Sequence, residues 1–310
     1  MRVVVTGGAG FIGANTVRVL TAGPDPAEVV VLDDLSSGRR ENLAGLDARL
    51  VEGSILDDGA LDEAMPGADS VIHLAARPSV PRSIEDPWAS HEANASGTVK
   101  VLEAARRHGV GHVVVASSSS VYGSNPTLPK HEDMTLRPMS PYGASKLATE
   151  TYALAWAPSY GLQVLAFRFF NVFGPLQPAG HAYAAAIPSF LDAAFAGRPL
   201  VINGDGEQSR DFTYVDSVAG VLTDAVRRRV HLDRPVNLAF GSRTTLLELI
   251  GLVEEVLGRP LARQHRDPRP GDVRHSQADQ GRFRSLFPDA RPVPLRDALA
   301  RTAQWFEAQR

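Results

Sequence analysis

Cysteine is missing from the chain altogether. Disulfides, thiolate catalysis and cysteine-ligated metal sites are therefore excluded, and the absence is compatible with a reducing cytoplasm. Lysine is nearly missing too: it stands only at Lys100, Lys130 and Lys146, among 32 Lys and Arg residues together. No basic run is long and the formal net charge is -3, so binding the polyanionic backbone of DNA or RNA is not expected as the main function. No apolar run reaches the roughly 18 residues that a membrane-spanning helix needs. The opening residues, MRVVVTGGAGFIG, are apolar but broken by four glycines, which reads as strand and turn rather than as a secretory signal. The expectation is a soluble, cytoplasmic protein without membrane or nucleic-acid partners. The nine histidines contain no H-x-x-H or H-E-x-x-H pair, so no metal site is expected.

What is present suits a folded chain of one large or two modest domains: 310 residues, 44% hydrophobic and 22% charged. Short β-branched runs recur as RVVV at 2–5, EVVVL at 28–32, SVIHL at 70–74, HVVVA at 112–116 and VLAF at 164–167. Continuous apolar runs of this length are expected of strands buried on both faces of a parallel sheet. Helical stretches at 11–22, 88–108 and 142–157 alternate with them. Beyond about residue 170 prolines and glycines become dense, as in GPLQPAG at 174–180 and RDPRPGD at 266–272, with helical stretches near 187–196, 215–228, 244–257 and 295–308. The pattern predicts an α/β fold: a doubly wound parallel Rossmann-type sheet with a smaller C-terminal α/β substrate-binding domain. The expected division assigns 1–168 plus about 211–240 to the first domain, and about 169–210 plus 241–310 to the second. All strand C-termini then lie along one edge, where ligands bind.

TGGAGFIG follows the first strand and places Gly7, Gly10 and Gly13 at G-x-x-G-x-x-G spacing. Such glycines permit a tight turn and close approach of backbone to a pyrophosphate at the following helix start. Asp33 ends the next strand 20 residues after Gly13. A carboxylate there accepts hydrogen bonds from an adenosine ribose and repels a 2′-phosphate, which favours NAD over NADP. Arg39 and Arg40, further along, weigh slightly against that choice.

Four serines, Ser117 to Ser120, end the strand HVVVA. They are either a polar exit from the strand or chemistry presented at the sheet edge. In SPYGASK, Ser140 can cap a helix and Pro141 can occupy its first position. Tyr142 and Lys146 then share a face at i and i+4. A tyrosine with a pKa near 10 is a poor base at neutral pH, but a nearby ammonium and a positive nicotinamide favour its phenolate. His73 follows a strand and reads as a packed core residue, and Asp57 and Asp58 as helix caps.

These segments together resemble the extended short-chain dehydrogenase/reductase family, and within it the NDP-sugar 4-epimerases. TGGAGFIG, LDDLSSG (32–38), HLAA (73–76), SSSSVYG, SPYGASK, RFFNVFGP (168–175) and GDGEQSRDFTYVD (204–216) fall in the family's order across the whole chain. The resemblance implies an enzyme with Tyr142 as acid and base, Lys146 as its partner and Ser118 aligning the sugar 4-OH. It implies an NAD site formed by Gly7, Gly10, Phe11, Ile12, Gly13, Asp33, Ile55, Leu74, Ala75, Ala76, Asn94, Tyr142, Lys146 and Phe169. It implies a nucleotide-sugar site formed by Ser79, Ser118, Ser120, Tyr142, Asn171, Ala186, Asn203, Arg210, Arg269, Asp272 and Ser276. Arg210 and Arg269 make physical sense as diphosphate clamps, since a guanidinium matches phosphate oxygens bidentately. EGSIL (52–56) departs from the pattern, because many relatives carry Asp at the position of Ser54; Ile55 can still pack on the adenine. The implied reaction removes a proton from O4 while hydride leaves C4 for NAD, turns the 4-keto sugar, and returns hydride to its other face. A homodimer paired through helices near 88–108 and 142–157 is also implied.

Three stretches resemble the subgroup that handles N-acetylated hexosamines: SVPRSI (79–84), HAYAAAIP (181–188) and PGDVRHSQAD (270–279). Ser276 falls where a residue closes the pocket beside the sugar C2; a bulky aromatic there excludes the acetamido group and a small residue admits it. UDP-N-acetylglucosamine (UDP-GlcNAc) 4-epimerase is the leading expectation, UDP-glucose/UDP-galactose 4-epimerase the alternative. A UDP-glucuronate 4-epimerase, a UDP-GlcNAc 5,6-dehydratase and a non-catalytic dinucleotide sensor are weighed behind them. The 4,6-dehydratases need a carboxylic acid and a carboxylate where this chain has Ser119 and Ser120.

Overall fold

The computed structural model describes residues 1–179, 184–267 and 273–310. The first half alternates strand and helix: β1 (Arg2–Thr6), α1 (Phe11–Thr21), β2 (Glu28–Asp33), β3 (Ala48–Glu52), α2 (Asp58–Ala64), β4 (Ser70–His73), α3 (Val80–Glu85), α4 (Pro87–His91), α5 (Gly97–Arg107), β5 (His112–Ser118), α6 (Pro141–Tyr160) and β6 (Gln163–Phe169). The second half runs β7 (Asn171–Phe173), α7 (Ala186–Phe195), β8 (Leu200–Asn203), β9 (Ser209–Arg210), β10 (Phe212–Tyr214), α8 (Val215–Arg227), β11 (Val236–Leu238), β12 (Thr244–Thr245), α9 (Leu246–Leu257), β13 (Arg263–Arg266), α10 (Gly281–Leu286) and α11 (Leu295–Ala308).

A seven-stranded sheet in the order β11-β6-β5-β4-β1-β2-β3 carries the architecture, and every pair in it is parallel. The valine runs explain why. Successive side chains on a strand point to opposite faces, so Val3 and Val5 enter one core and Val4 the other. The first core is closed by Val17 and Leu20 of α1, Val218 and Leu222 of α8, and Phe283 of α10. The second is closed by Leu61 of α2, Val101 and Leu102 of α5, and Ala153 of α6. Each fully buried Val or Leu contributes about 1.5–3 kcal/mol against exposure, which locks the strands in register. A third core joins Phe173, Phe190, Leu191, Tyr214, Leu249, Ile250, Leu299 and Phe306 from α7, α9, α11 and the short strands beside them.

Two strands of the seven-stranded sheet escape the reading from sequence. β3 (ARLVE) is an edge strand whose apolar residues are interleaved with Arg49 and Glu52, and β11 has only three residues after Pro235. The helix expected over 88–108 is divided into α4, a π-helical turn at Glu92–Ser96, and α5. The start of α6 follows the sequence expectation: Ser140 Oγ accepts from Gly143 N at 3.1 Å, and Pro141 opens the helix. Asp57 caps α2 through Gly59 N at 2.9 Å. No helix among the described residues is long and apolar enough to cross a membrane.

Candidate active site

The glycine loop is a cradle in which side chains do not fit. Gly7 follows β1 at φ +69°, and a Cβ on it would sit 2.7 Å from Ala75 N. A Cβ on Gly13 would sit 2.1 Å from the Gly7 carbonyl oxygen. The turn thus packs backbone on backbone, and α1 begins after Gly10 with no side-chain cap. An uncapped helix start with close backbone approach is suited to phosphate oxygens. Phe11 and Ile12 form its first turn. Asp33 stands beside this loop, with Oδ2 accepting from Ala9 N and Oδ1 from Leu35 N, each at 2.9 Å. Burial pushes its carboxyl up, and these N–H bonds act against that. Leu74 and Ala75 leave β4 bound to Thr6, through its carbonyl at 3.1 Å and its hydroxyl at 3.3 Å, and Ala76 follows. Ile55 is buried and presses on Gly97, where an added Cβ would lie 2.5 Å from its Cδ1. Phe169 closes β6, nearly buried.

At the end of β5 Ser118 is close enough to Tyr142 to pull its phenol down. Ser118 Oγ also accepts from Ser120 N at 3.2 Å and from Ser120 Oγ at 2.8 Å. With both of these bonds accepted, the Ser118 hydroxyl keeps its own proton free to donate. Lys146 lies one turn along α6, buried, with Nζ donating to the Ala116 carbonyl at 2.7 Å. Burial lowers its ammonium to about 8. The expected lowering of the phenol by a neighbouring ammonium is not what dominates among the chain's own groups. Burial pushes the Tyr142 phenol up and Ser118 pulls it down, while one of the three Lys146 N–H groups donates to Ala116.

A buried polar network supports this pair from below. Asn94, in the π-helical turn, accepts from Arg77 N at 2.7 Å and donates to Ser145 Oγ at 2.9 Å. Ser145 Oγ in turn donates to the Tyr142 carbonyl at 2.9 Å. His73 is buried between Thr6 Oγ1 at 2.7 Å and Thr98 Oγ1 at 3.1 Å. Burial and the charge of Lys146 lower its pKa to about 3, so the ring is neutral. The sequence singles out Asn94 and His73, but nothing in it shows that they bond to Arg77 and Ser145 or to Thr6 and Thr98, which are distant along the chain.

A cleft of about 250 Å³ gathers Asn171, Ala186, Asn203 and Arg210 from four separate segments. Phe173, Gln208, Phe212 and Leu246 line it as well. Gln208 escaped the sequence reading; its Nε2 donates to the Asn203 carbonyl at 2.6 Å. Ser276 N donates to the Ser209 carbonyl at 3.0 Å, which brings Ser276 beside Arg210. Ser79 caps α3 in the left-handed region at φ 103°, a conformation that costs a serine about 1–3 kcal/mol and that concentrates at functional sites. Arg269 and Asp272 lie outside the described residues. A larger cavity of about 520 Å³, along the outer side of α8 between Asp216 and Phe287, includes none of the residues singled out from sequence.

The profile of the NAD dependent epimerase/dehydratase family matches residues 3–239. This chain belongs to that family. The UDP-glucose 4-epimerase of Mycolicibacterium smegmatis is 39% identical over 314 residues, covering 99% of this chain and 98% of its own. The dTDP-glucose 4,6-dehydratase of Streptomyces griseus is 37% identical over 316 residues, covering 99% and 94%. The solved structure of UDP-N-acetylglucosamine 4-epimerase from Methanobrevibacter ruminantium M1, in complex with UDP-N-acetylmuramic acid, superposes with a TM-score of 0.94 at 36% identity, covering 100% of this chain and 99% of that one. NAD is the cofactor of this epimerase/dehydratase family, and the chain fits it: the tight turn needs glycine at Gly7 and Gly13, where a Cβ would strike backbone, and the backbone N–H groups at the start of α1 have no side-chain cap and are available to a diphosphate.

Proposed function

We propose that this epimerase/dehydratase family member inverts C4 of a UDP-hexose, with UDP-GlcNAc converted to UDP-N-acetylgalactosamine (UDP-GalNAc) as its main reaction. The observation that carries the chemistry is that Ser118, at the end of β5, lies close to Tyr142, one helical turn before the buried Lys146. Bound NAD supplies a reversible hydride acceptor. Tyr142 takes the proton of the sugar O4 and later returns it. Ser118 donates toward that oxygen pair and aligns the 4-OH, with Ser120 holding its orientation. Lys146 keeps a positive charge beneath the phenolate, and at a pKa of about 8 it is mostly charged at neutral pH. The 4-keto sugar must turn in place, so binding energy from the nucleotide has to hold it through the rotation. Arg210, in the cleft with Asn171, Ala186 and Asn203, is positioned for the diphosphate. On this reading residues 1–168 with about 211–240 hold NAD, and about 169–210 with 241–310 hold the nucleotide sugar.

Elimination chemistry, as the name of the Streptomyces griseus relative describes, lacks its acid and base here, because Ser119 and Ser120 follow Ser118. The acetamido preference rests on Ser276, a small side chain beside Arg210. UDP-glucose 4-epimerase is the second reading, favoured by the identity to the Mycolicibacterium smegmatis enzyme; a serine at 276 admits the smaller sugar as well. For the proposed homodimer, paired through the helices near 88–108 and 142–157, the exposed Trp88 and Tyr152 support a contact there. The deciding experiment is incubation with UDP-GlcNAc and no added cofactor, followed by NMR, with mass spectrometry of the ligand released on denaturation. Formation of UDP-GalNAc and release of NAD are expected. Conversion of UDP-glucose alone would shift the assignment to the second reading, and conversion of neither would overturn both.

A further inference from the structure

Two motifs, and the helix that follows a third, contain buried residues that the proposed chemistry leaves unused: Ser117 and Tyr122 in SSSSVYG, Arg168 at the head of RFFNVFGP, and Glu150 four residues beyond Lys146. In the structure they meet. Arg168 Nε donates to Glu150 Oε2 at 2.9 Å and Nη2 to Oε1 at 2.7 Å, with side chains 2% and 4% exposed. Ser117 Oγ donates to Glu150 Oε2 at 2.8 Å and lies 3.3 Å from the Lys146 carbonyl. Arg168 Nη1 donates to Tyr122 OH at 3.0 Å and to the Glu132 carbonyl at 3.1 Å. Its guanidinium lies 4.8 Å from the centre of the Tyr122 ring, and Tyr122 OH donates to Asn237 Oδ1 at 2.6 Å.

A buried ion pair is a poor source of stability, since well-packed apolar side chains of the same volume serve as well or better. What this pair offers instead is geometry. Tyr142, Lys146 and Glu150 recur every four residues, so they share one face of α6. Glu150 fastens that face to β6 through Arg168 and to β5 through Ser117, the neighbour of Ser118. Sliding or turning α6 would break directional bonds at both attachments. We propose that the Glu150–Arg168 pair, bridged by Ser117, is a positioning device that holds the Tyr142 phenol in register with Ser118, needed for turnover rather than for stability. The proposal rests on the reading of Tyr142 and Lys146 as the acid–base pair.

The test is the double variant Glu150→Met with Arg168→Met, assayed with the NAD-loaded protein. A misplacement of about 1 Å costs about 100-fold in rate. Expected are a melting temperature close to the parent's, NAD still bound, KM for the nucleotide sugar unchanged, and kcat down about 100-fold. The acid limb of the kcat–pH profile should move to higher pH as the phenol moves away from Ser118, which pulls it down. A folded double variant with the parent's kcat and pH profile overturns the proposal. If the double variant does not fold, Ser117→Ala decides: it keeps the ion pair and removes only the bridge to β5. A fall in kcat of about tenfold at unchanged KM and melting temperature supports the device, and parental kcat overturns it. Tyr142→Phe, run alongside, separates the two layers. Surviving turnover there removes the acid–base reading itself, whereas a dead Tyr142→Phe beside a fully active double variant removes only the positioning.

Discussion

Replacing Tyr142 by Phe deletes one oxygen and leaves the ring, which isolates chemistry from packing. The loss to stability is worked from the contacts. The phenol oxygen lies near Ser118, and Ser118 keeps both bonds from Ser120, at 3.2 and 2.8 Å. At most one hydrogen bond is lost, worth about 1 kcal/mol, so melting should fall by no more than a few degrees. The loss to catalysis is far larger. A positioned acid–base group contributes about 10²–10⁴-fold, which is about 3–5.5 kcal/mol of barrier at 1.36 kcal/mol per tenfold. No other group takes the role: Lys146 is directed at Ala116, and His73 is buried and neutral between Thr6 and Thr98. The assay is turnover of UDP-GlcNAc by NMR, beside a thermal melt and measurement of NAD released on denaturation. A variant that melts with the parent and carries NAD but keeps kcat within tenfold would refute the assignment of the base.

Three other outcomes are expected. Ser276→Tyr should lower kcat/KM for UDP-GlcNAc about 100-fold more than for UDP-glucose, because ring volume replaces acetamide space; equal losses on the two sugars would remove the gate. Asp211 is fully buried, accepting from Ser242 Oγ at 3.0 Å and Ala278 N at 3.1 Å, and burial pushes its pKa from 3.8 up to about 6. The folded chain therefore holds this proton between pH 4 and 6 where the unfolded chain has released it, and stability from this group, present below pH 4, is lost as pH rises through 6, by about 3 kcal/mol in all. Asp211→Asn removes that slope, so thermal melts should move in the variant's favour from pH 4 to pH 7; parallel pH dependences would contradict it. Tyr152→Arg should convert a dimer to monomers in light scattering, since Tyr152 is 45% exposed on α6 beside Trp156; a parent that is already monomeric would dispose of the dimer.

The sheet was legible because a strand buried on both faces needs one apolar residue after another, and Val3–Val5, Val29–Val31 and Val113–Val115 meet that need locally. The loop was legible because only glycine tolerates the contacts at Gly7 and Gly13, and the start of α6 because Ser140 and Pro141 act within one turn. β3 and the three-residue β11 were missed because their pairing depends on neighbours already in place rather than on their own pattern. The π-helical turn at Glu92–Ser96 was missed because Asn94 is held there by Arg77 and Ser145, both distant in sequence.

By itself the sequence determined which residues are available and how they are spaced: the glycines of the loop, the Tyr142–Lys146 interval of one helical turn, and the serines at a strand end. Spacing within a turn or a strand is a local property, and backbone geometry converts it directly into a shared face. Only the tertiary structure decided which of these meet. It brought Ser118 to Tyr142, Glu150 to Arg168, and Asn171, Ala186, Asn203 and Arg210 to one cleft. It also set the charge states, burying Lys146 until its ammonium falls to about 8 and burying Tyr142 until its phenol rises. Both depend on how much water the packed cores exclude, and that is a property of the whole fold.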